Sequence, residues 1–152
     1  MSIARKNKSP TDAHEDSLGR LLLRAHRFYA DRALQRLHAR GHTDLGIAHV
    51  TLLPHFDPEG TRATVLAERA GITKQAAGQV LADLEDGGYV ERVADVGDRR
   101  AAKITFTRRG LKLVADAAAV KDDVDAELTK LIGSKGLEHL RELLTKLLAD
   151  GG

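Results

Sequence analysis

The spacing of apolar and polar residues divides the chain into recognisable elements. Ala77, Val80, Leu81 and Leu84 fall at i, i+3, i+4 and i+7, the stripe of a helix half sunk in a core, and Thr73 stands where its N-cap belongs. Gly71 separates this helix from one before it, and Ala67, Gly71, Ala77 and Val80 occupy the small, turn and interior positions of a helix-turn-helix. Downstream, Tyr89–Val93 and Ala102–Phe106 alternate around a segment rich in Asp and Gly, which predicts a β-hairpin. Leu18, Leu21, Leu22, Ala25, Tyr29, Ala33, Leu34 and Leu37 predict a long helix from Asp16 to about Arg40. A shorter helix is expected over Gly46–Phe56, with Pro54 as an obstacle inside it. Asp57–Gly60 reads as a turn, with Thr61 expected to cap the next helix and Thr107 to open another from Arg108 into the 120s. A break at Gly133–Gly136 precedes a last helix carrying Leu137, Leu140, Leu143, Leu144, Leu147 and Leu148.

What lies opposite the buried stripe gives the second helix its chemistry. Gln75, Gln79 and Ala82 face outward, flanked by Lys74 and Gly78. Gln can pair with adenine through N6 and N7, and Lys can reach guanine or a phosphate. An outward Gly costs a helix about 1 kcal/mol relative to Ala, and close approach to a nucleic acid would justify Gly78. A solvated polar face would explain an isolated helix equally well, but a hairpin directly after a helix-turn-helix is a wing. Arg99, Arg100 and Lys103 are expected at its tip, where arginine is drawn to the minor groove. Asp98 is expected to hold the Arg100 guanidinium by a charge-assisted hydrogen bond.

These residues resemble a family. Leu66–Gln75, Leu84–Arg92, Asp98-Arg99-Arg100 and Phe106–Gly110 look like the winged-helix domain of the multiple-antibiotic-resistance regulators, the MarR family, with the resemblance extending over about residues 16–150. Asp95, Asp98 and Arg100 match the family's Asp-Pro-x-Asp-x-Arg wing, with Val96 where proline is usual, a change that loosens the turn and leaves the charged pair. The resemblance implies a mainly α fold with a small β-hairpin wing (α+β), a winged helix-turn-helix domain with N- and C-terminal helices forming a dimerisation region. It divides the chain into a tail at 1–15, supporting helices at 16–56, the DNA-binding domain at 57–110 and dimerisation helices at 111–152. It further implies a homodimeric regulator, a repressor by expectation, acting on a near-palindromic promoter site. The DNA contacts are assigned to Thr73, Lys74, Gln75, Gly78, Gln79, Asp98, Arg99, Arg100 and Lys103. A small aromatic or phenolic effector is expected in the cleft between dimer helices and winged domain, near His26, Tyr29, His49, His55 and Phe56.

Composition narrows the alternatives. Among 152 residues there are no cysteines, which excludes disulfides and thiol chemistry. The 24 Lys and Arg against 22 Asp and Glu leave a net charge of +2, so only a local basic surface is available, with the basic excess upstream of residue 111. No apolar run approaches membrane-spanning length, and the Arg5, Lys6, Lys8 segment lacks a following apolar stretch, so no secretory signal and a cytoplasmic location are expected. The arginines from Arg20 to Arg40 read as a solubilising face. Of the seven histidines, His38 and His42 are four apart, but Gly41 between them argues against a shared helical face, and no metal or other cofactor is expected. Neither a paired catalytic set nor a phosphate loop is present, so an enzyme is not expected. The alternatives kept are a winged helix used for protein contact and a metal-responsive regulator using histidines.

Overall fold

The computed structural model describes residues 17–150, without the side chains of Arg99 and Asp150, so the expected tail at 1–15 and His14 lie outside the described residues. Helix α1 spans Leu18–Ala39, opened by the Ser17 hydroxyl accepting from the Arg20 N–H. Its second half is the buried one: Ala30, Ala33 and Leu37 are core, whereas Leu18 and Leu23 are 67% and 70% exposed. Gly41 ends the helix turn with φ +97°. Helix α2 covers only Ile47–Leu52, and Pro54 falls in the first turn of a 3-10 segment, Leu53–His55, where its missing N–H is not needed.

Strand β1, Thr61–Arg62, corrects the expectation that Thr61 caps a helix. Thr61 pairs with Ile104 in the sheet, and its hydroxyl accepts from the Asp57 N–H across the preceding turn. Helix α3 (Ala63–Ala70) therefore starts without a side-chain cap, and Gly71 takes the left-handed conformation, φ +65°, that reverses the chain into α4 (Lys74–Asp86). Ala77, Val80, Leu81 and Leu84 of α4 are all buried, as their spacing predicts. Strands β2 (Val90–Asp95) and β3 (Asp98–Phe106) form the hairpin, giving an antiparallel sheet of order β1-β3-β2 with an irregularity at Ala94/Asp95.

Helix α5, capped by Thr107 as expected, runs through Arg108–Ile132 and is longer than its sequence pattern suggested. Its first turn lies directly on the backbone between α4 and β2. A Cβ at Gly110 would stand 1.9 Å from the Tyr89 carbonyl oxygen, so only glycine permits this packing. The break before the last helix is confined to Gly133, with α6 beginning at Ser134 and running to Asp150. Leu140, Leu143, Leu147 and Leu148 of α6 are exposed, together with Leu131 and Ile132. One core joins α1 through α5 and the sheet, with Leu37, Leu52, Leu66, Leu81, Leu84, Tyr89, Ile104, Leu113, Val120 and Val124 fully buried, and α6 contributes no residue to it.

The arginines of α1 do more than keep the surface wet. Arg32 and Arg36 both bind Glu127 of α5, and Arg40 binds Asp123 at 3.0 Å. The two guanidinium groups, Arg36 first and then Arg32, hold the Glu127 carboxyl below the usual carboxylate range. These pairs are partly exposed, and their value lies in fixing the register of the two long helices rather than in large stabilisation.

Candidate nucleic-acid interface

The outward side of α4 is built by the inward one. Burial of Ala77, Val80, Leu81 and Leu84 fixes the rotation of the helix, which leaves Lys74, Gln75 and Gln79 exposed and Gly78 half-exposed. The Thr73 hydroxyl accepts the Ala76 N–H at 3.1 Å, so its oxygen serves the cap while its O–H remains available to a ligand. No atom lies within 4 Å of where a Gly78 Cβ would stand, so glycine there answers no need inside the protein. Gln79 donates to Asp83 Oδ1 at 3.2 Å, which pre-orients its amide. That interaction was not anticipated from sequence, although the i, i+4 spacing of the two residues allows it.

The wing differs from expectation in three respects. Its turn is only Val96-Gly97, with Val96 completely exposed, so the strands reach further than the alternating residues alone suggested. Lys103 is not at the tip. It is half-buried in the middle of β3, opposite Val93 on one side and Arg62 on the other. Asp98 does not hold the Arg100 guanidinium: its carboxylate accepts the backbone N–H of Arg100 at 3.0 Å, as a turn-closing acid does. Arg100 is exposed beside the turn, and the Arg99 side chain lies outside the described residues.

A carboxylate-held arginine exists, but it is Arg62. Its Nε and Nη2 donate to Asp95 Oδ2 at 2.9 and 2.6 Å, and the other Asp95 oxygen accepts the Gly97 N–H at 3.1 Å. Arg62 immediately precedes α3, while Asp95 ends β2, so this pair ties the wing to the helix-turn-helix. Hydrogen bonds from Arg62 and then from Gly97 hold the Asp95 carboxyl below its usual range, and the same bond raises the Arg62 guanidinium.

Beneath the interface, a polar cluster joins the winged unit to the helices. The Tyr89 hydroxyl donates to Asp44 Oδ1 at 2.6 Å and accepts from Arg109 Nη2 at 3.0 Å, whose guanidinium lies 4.2 Å above the tyrosine ring. His42, 3% exposed, faces the same hydroxyl through Nδ1 at 3.2 Å and Asp116 Oδ2 through Nε2 at 2.8 Å. Sequence spacing gives no signal for this set, since its members are as much as 74 residues apart. His38 is engaged elsewhere, with Nε2 2.8 Å from the Leu45 carbonyl, and no metal-binding group of three or more ligands occurs among the described residues.

Between α1, α2 and α5 opens a cavity of about 480 Å³ with walls that include Ala33, Leu37, Leu53, Val114 and Ala118. Of the residues expected to bind an effector, His26, Tyr29 and His55 line it. His49 and Phe56 do not: His49 Nδ1 accepts the Gly46 N–H at 2.8 Å, and Phe56 packs on Phe106 with ring centroids 4.8 Å apart. His49 thus caps the start of α2, and Phe56 packs the connection from α2 onto the winged unit. Burial, followed by the charge of Asp125, raises the Tyr29 phenol above its usual value.

Known proteins share this fold and part of this sequence. The sequence pattern of the MarR family matches residues 43–101, which run from the α1–α2 connection into β3. An HTH-type transcriptional repressor of Mycobacterium tuberculosis is 35% identical over 91 residues, 60% of this chain and 66% of that protein, so the chain spans just under two thirds of that relative's length. The transcriptional regulator HosA of Escherichia coli is 30% identical over 92 residues, 60% of this chain and 68% of that protein. The reduced form of MarR from E. coli superposes with a TM-score of 0.75, covering 87% of this chain and 96% of that one at 22% identity.

Proposed function

Because the chain belongs to the MarR family of transcriptional regulators, we propose that it binds double-stranded DNA as a homodimer at a near-palindromic promoter site and represses transcription. The observation that carries this reading is the fixed rotation of α4, which turns Lys74, Gln75, Gly78 and Gln79 outward beside a wing anchored to the same unit by Arg62 and Asp95. In this reading residues 57–110 bind DNA, and the helices within 16–56 and 111–152 dimerise. The exposed leucines of α6 and of the first half of α1 supply the apolar surface a dimer would bury. Two copies then place their recognition helices about one DNA turn apart, which is why the site is near-palindromic.

The apolar cavity takes a small aromatic or phenolic effector, with His26, Tyr29 and His55 offering polar groups to it. A DNA-binding role places the protein in the cytoplasm, and no helix among the described residues is long and apolar enough to cross a membrane. Selection from a random duplex library, followed by binding at two salt concentrations, tests the function. Enriched two-fold-related sites and a steep loss of affinity with salt are expected. Binding that is insensitive to salt, or no enrichment, would favour a winged helix used for protein contact. Sedimentation of the free protein at the dimer mass is the accompanying expectation.

A further inference from the structure

Residues at the start of α5 grip the corner where the chain leaves α4 for the sheet. The Thr107 hydroxyl donates to the Gly88 carbonyl at 2.6 Å, and Gly110 lies against the Tyr89 carbonyl. Arg109, between them, reaches furthest. Its Nη1 donates to the carbonyl of Gly87, the C-cap of α4. Its Nη2 stands 3.0 Å from the Tyr89 hydroxyl and 3.3 Å from both carboxylate oxygens of Asp44, in the connection from α1 to α2. The guanidinium also lies over the Tyr89 ring, 4.2 Å from its centroid.

One side chain thus joins the exit of α4, the first turn of α5 and the loop that follows α1. A guanidinium only donates, while a backbone carbonyl and a carboxylate only accept, so these bonds hold whichever way the Tyr89 hydroxyl proton points. The buried side chains around the joint, Leu84, Tyr89 and Leu113 among them, belong to one core. Their burial favours contact but is non-directional. Hydrogen bonds weaken steeply when misaligned, and a planar fork spread over three segments is the least tolerant of rotation. The angle between α4 and α5 is therefore set at Arg109.

The length of α4 makes that angle matter. Its 13 residues span about 20 Å, with Lys74 and Gln75 at the end remote from Gly87. A pivot of about 10° at Gly87 displaces the first turn of α4 by about 3 Å, close to the rise of about 3.4 Å per base pair. We propose that Arg109 is a positioning residue that fixes the tilt of α4, so that a dimer accepts one separation between half-sites and rejects its neighbours. The inference rests on the reading of the protein as a homodimer that binds DNA. With the fork gone, the joint yields by about one base-pair step, and both half-sites of a misspaced duplex are engaged.

The test uses the full-length protein, the duplex enriched from the random library, and the same duplex with one base pair inserted or removed at its centre. The wild type should lose about a hundredfold in affinity on either misspaced duplex, because only one half-site is then engaged. Arg109→Lys keeps the charge, but a compact ammonium cannot hold Gly87, Asp44 and the Tyr89 ring together. It should lose less than about tenfold between spacings, while its choice of base pairs within a half-site stays that of the wild type. Asp44→Ala, at a partly exposed position, should relax the spacing in the same direction and keeps the test decisive if circular dichroism shows the lysine variant unfolded. A merely structural role for Arg109 would weaken binding to all three duplexes alike and leave the discrimination between them intact. That result, or a wild type that binds all three equally, overturns the proposal and leaves the DNA-binding reading standing. Failure of the wild type to bind any duplex overturns both.

Discussion

Arg62, in β1 immediately before α3, donates two hydrogen bonds to one carboxylate oxygen of Asp95, at the end of β2, while the other oxygen of Asp95 closes the wing turn. One acid thus sets both the shape of the wing tip and its attachment to the helix-turn-helix. Asp95→Asn is expected to keep the fold but weaken specific DNA binding about tenfold, because a mobile wing must lose conformational freedom on docking. The carboxyl is held below its usual range, so its contribution is present above the unfolded value and is lost as pH falls through the folded one. Native DNA affinity in the Asn variant would remove the pair from any role in positioning the wing.

Asp98 and Arg100 now have separate tasks. Arg100→Ala should reduce binding by about 1 to 3 kcal/mol through loss of a cation in the minor groove. Asp98→Ala removes a turn hydrogen bond and an exposed negative charge from the wing, and at low salt, in the proposed DNA-binding reading, it should bind DNA at least as tightly as the wild type. The double variant should be additive to within about 0.5 kcal/mol, since no bond joins the carboxylate to the guanidinium. A titration of all four proteins decides it, and strong coupling would mean that the guanidinium joins Asp98 once DNA is bound.

On α4, in the proposed reading, Gln75→Ala and Gln79→Ala should each weaken the selected site by about 1 to 3 kcal/mol and leave random duplex binding almost unchanged. Asp83→Ala should reproduce part of the Gln79 effect, because Asp83 orients that amide. Lys74→Ala should weaken all sequences alike and lower the salt slope by about 1. Equal losses on selected and random DNA would exclude the glutamines from base readout.

Gly110→Ala places a methyl group 1.9 Å from the Tyr89 carbonyl oxygen and against Phe106. The first turn of α5 would have to move away from β2, at a cost of about 1 to 3 kcal/mol or more. Chemical denaturation of the wild-type and variant proteins measures this, and equal stability would contradict the close packing of α5 on Tyr89.

The elements with a strong local pattern were legible in the chain. Gly71, the Thr73 cap and the Ala77–Leu84 stripe determine the helix-turn-helix because backbone freedom, capping and period act within a few residues. The hairpin was legible for the same reason. Thr61 was not, because a two-residue strand is defined by Ile104 and Lys103, some forty residues away, rather than by its own neighbours. Asp98 could not be told apart from Asp95 as the holder of an arginine, since near residues on a hairpin alternate in direction and the captured guanidinium comes from Arg62, outside the hairpin.

The cavity divided its candidates by the same rule. His26, Tyr29 and His55 line it because the crossing of α1, α2 and α5 turns them there, while His49 and Phe56, equally polar or aromatic in sequence, are directed to a helix cap and to Phe106. By itself the sequence determined which segments form helices and which side of α4 faces outward, because those follow from periodicity and from the cost of exposing apolar surface. Only the tertiary structure decided which acid meets which base. Hydrogen bonds such as those joining His42, Tyr89, Asp44 and Asp116 depend on approaches within about 3 Å between residues far apart in the chain, and composition and spacing carry no record of them.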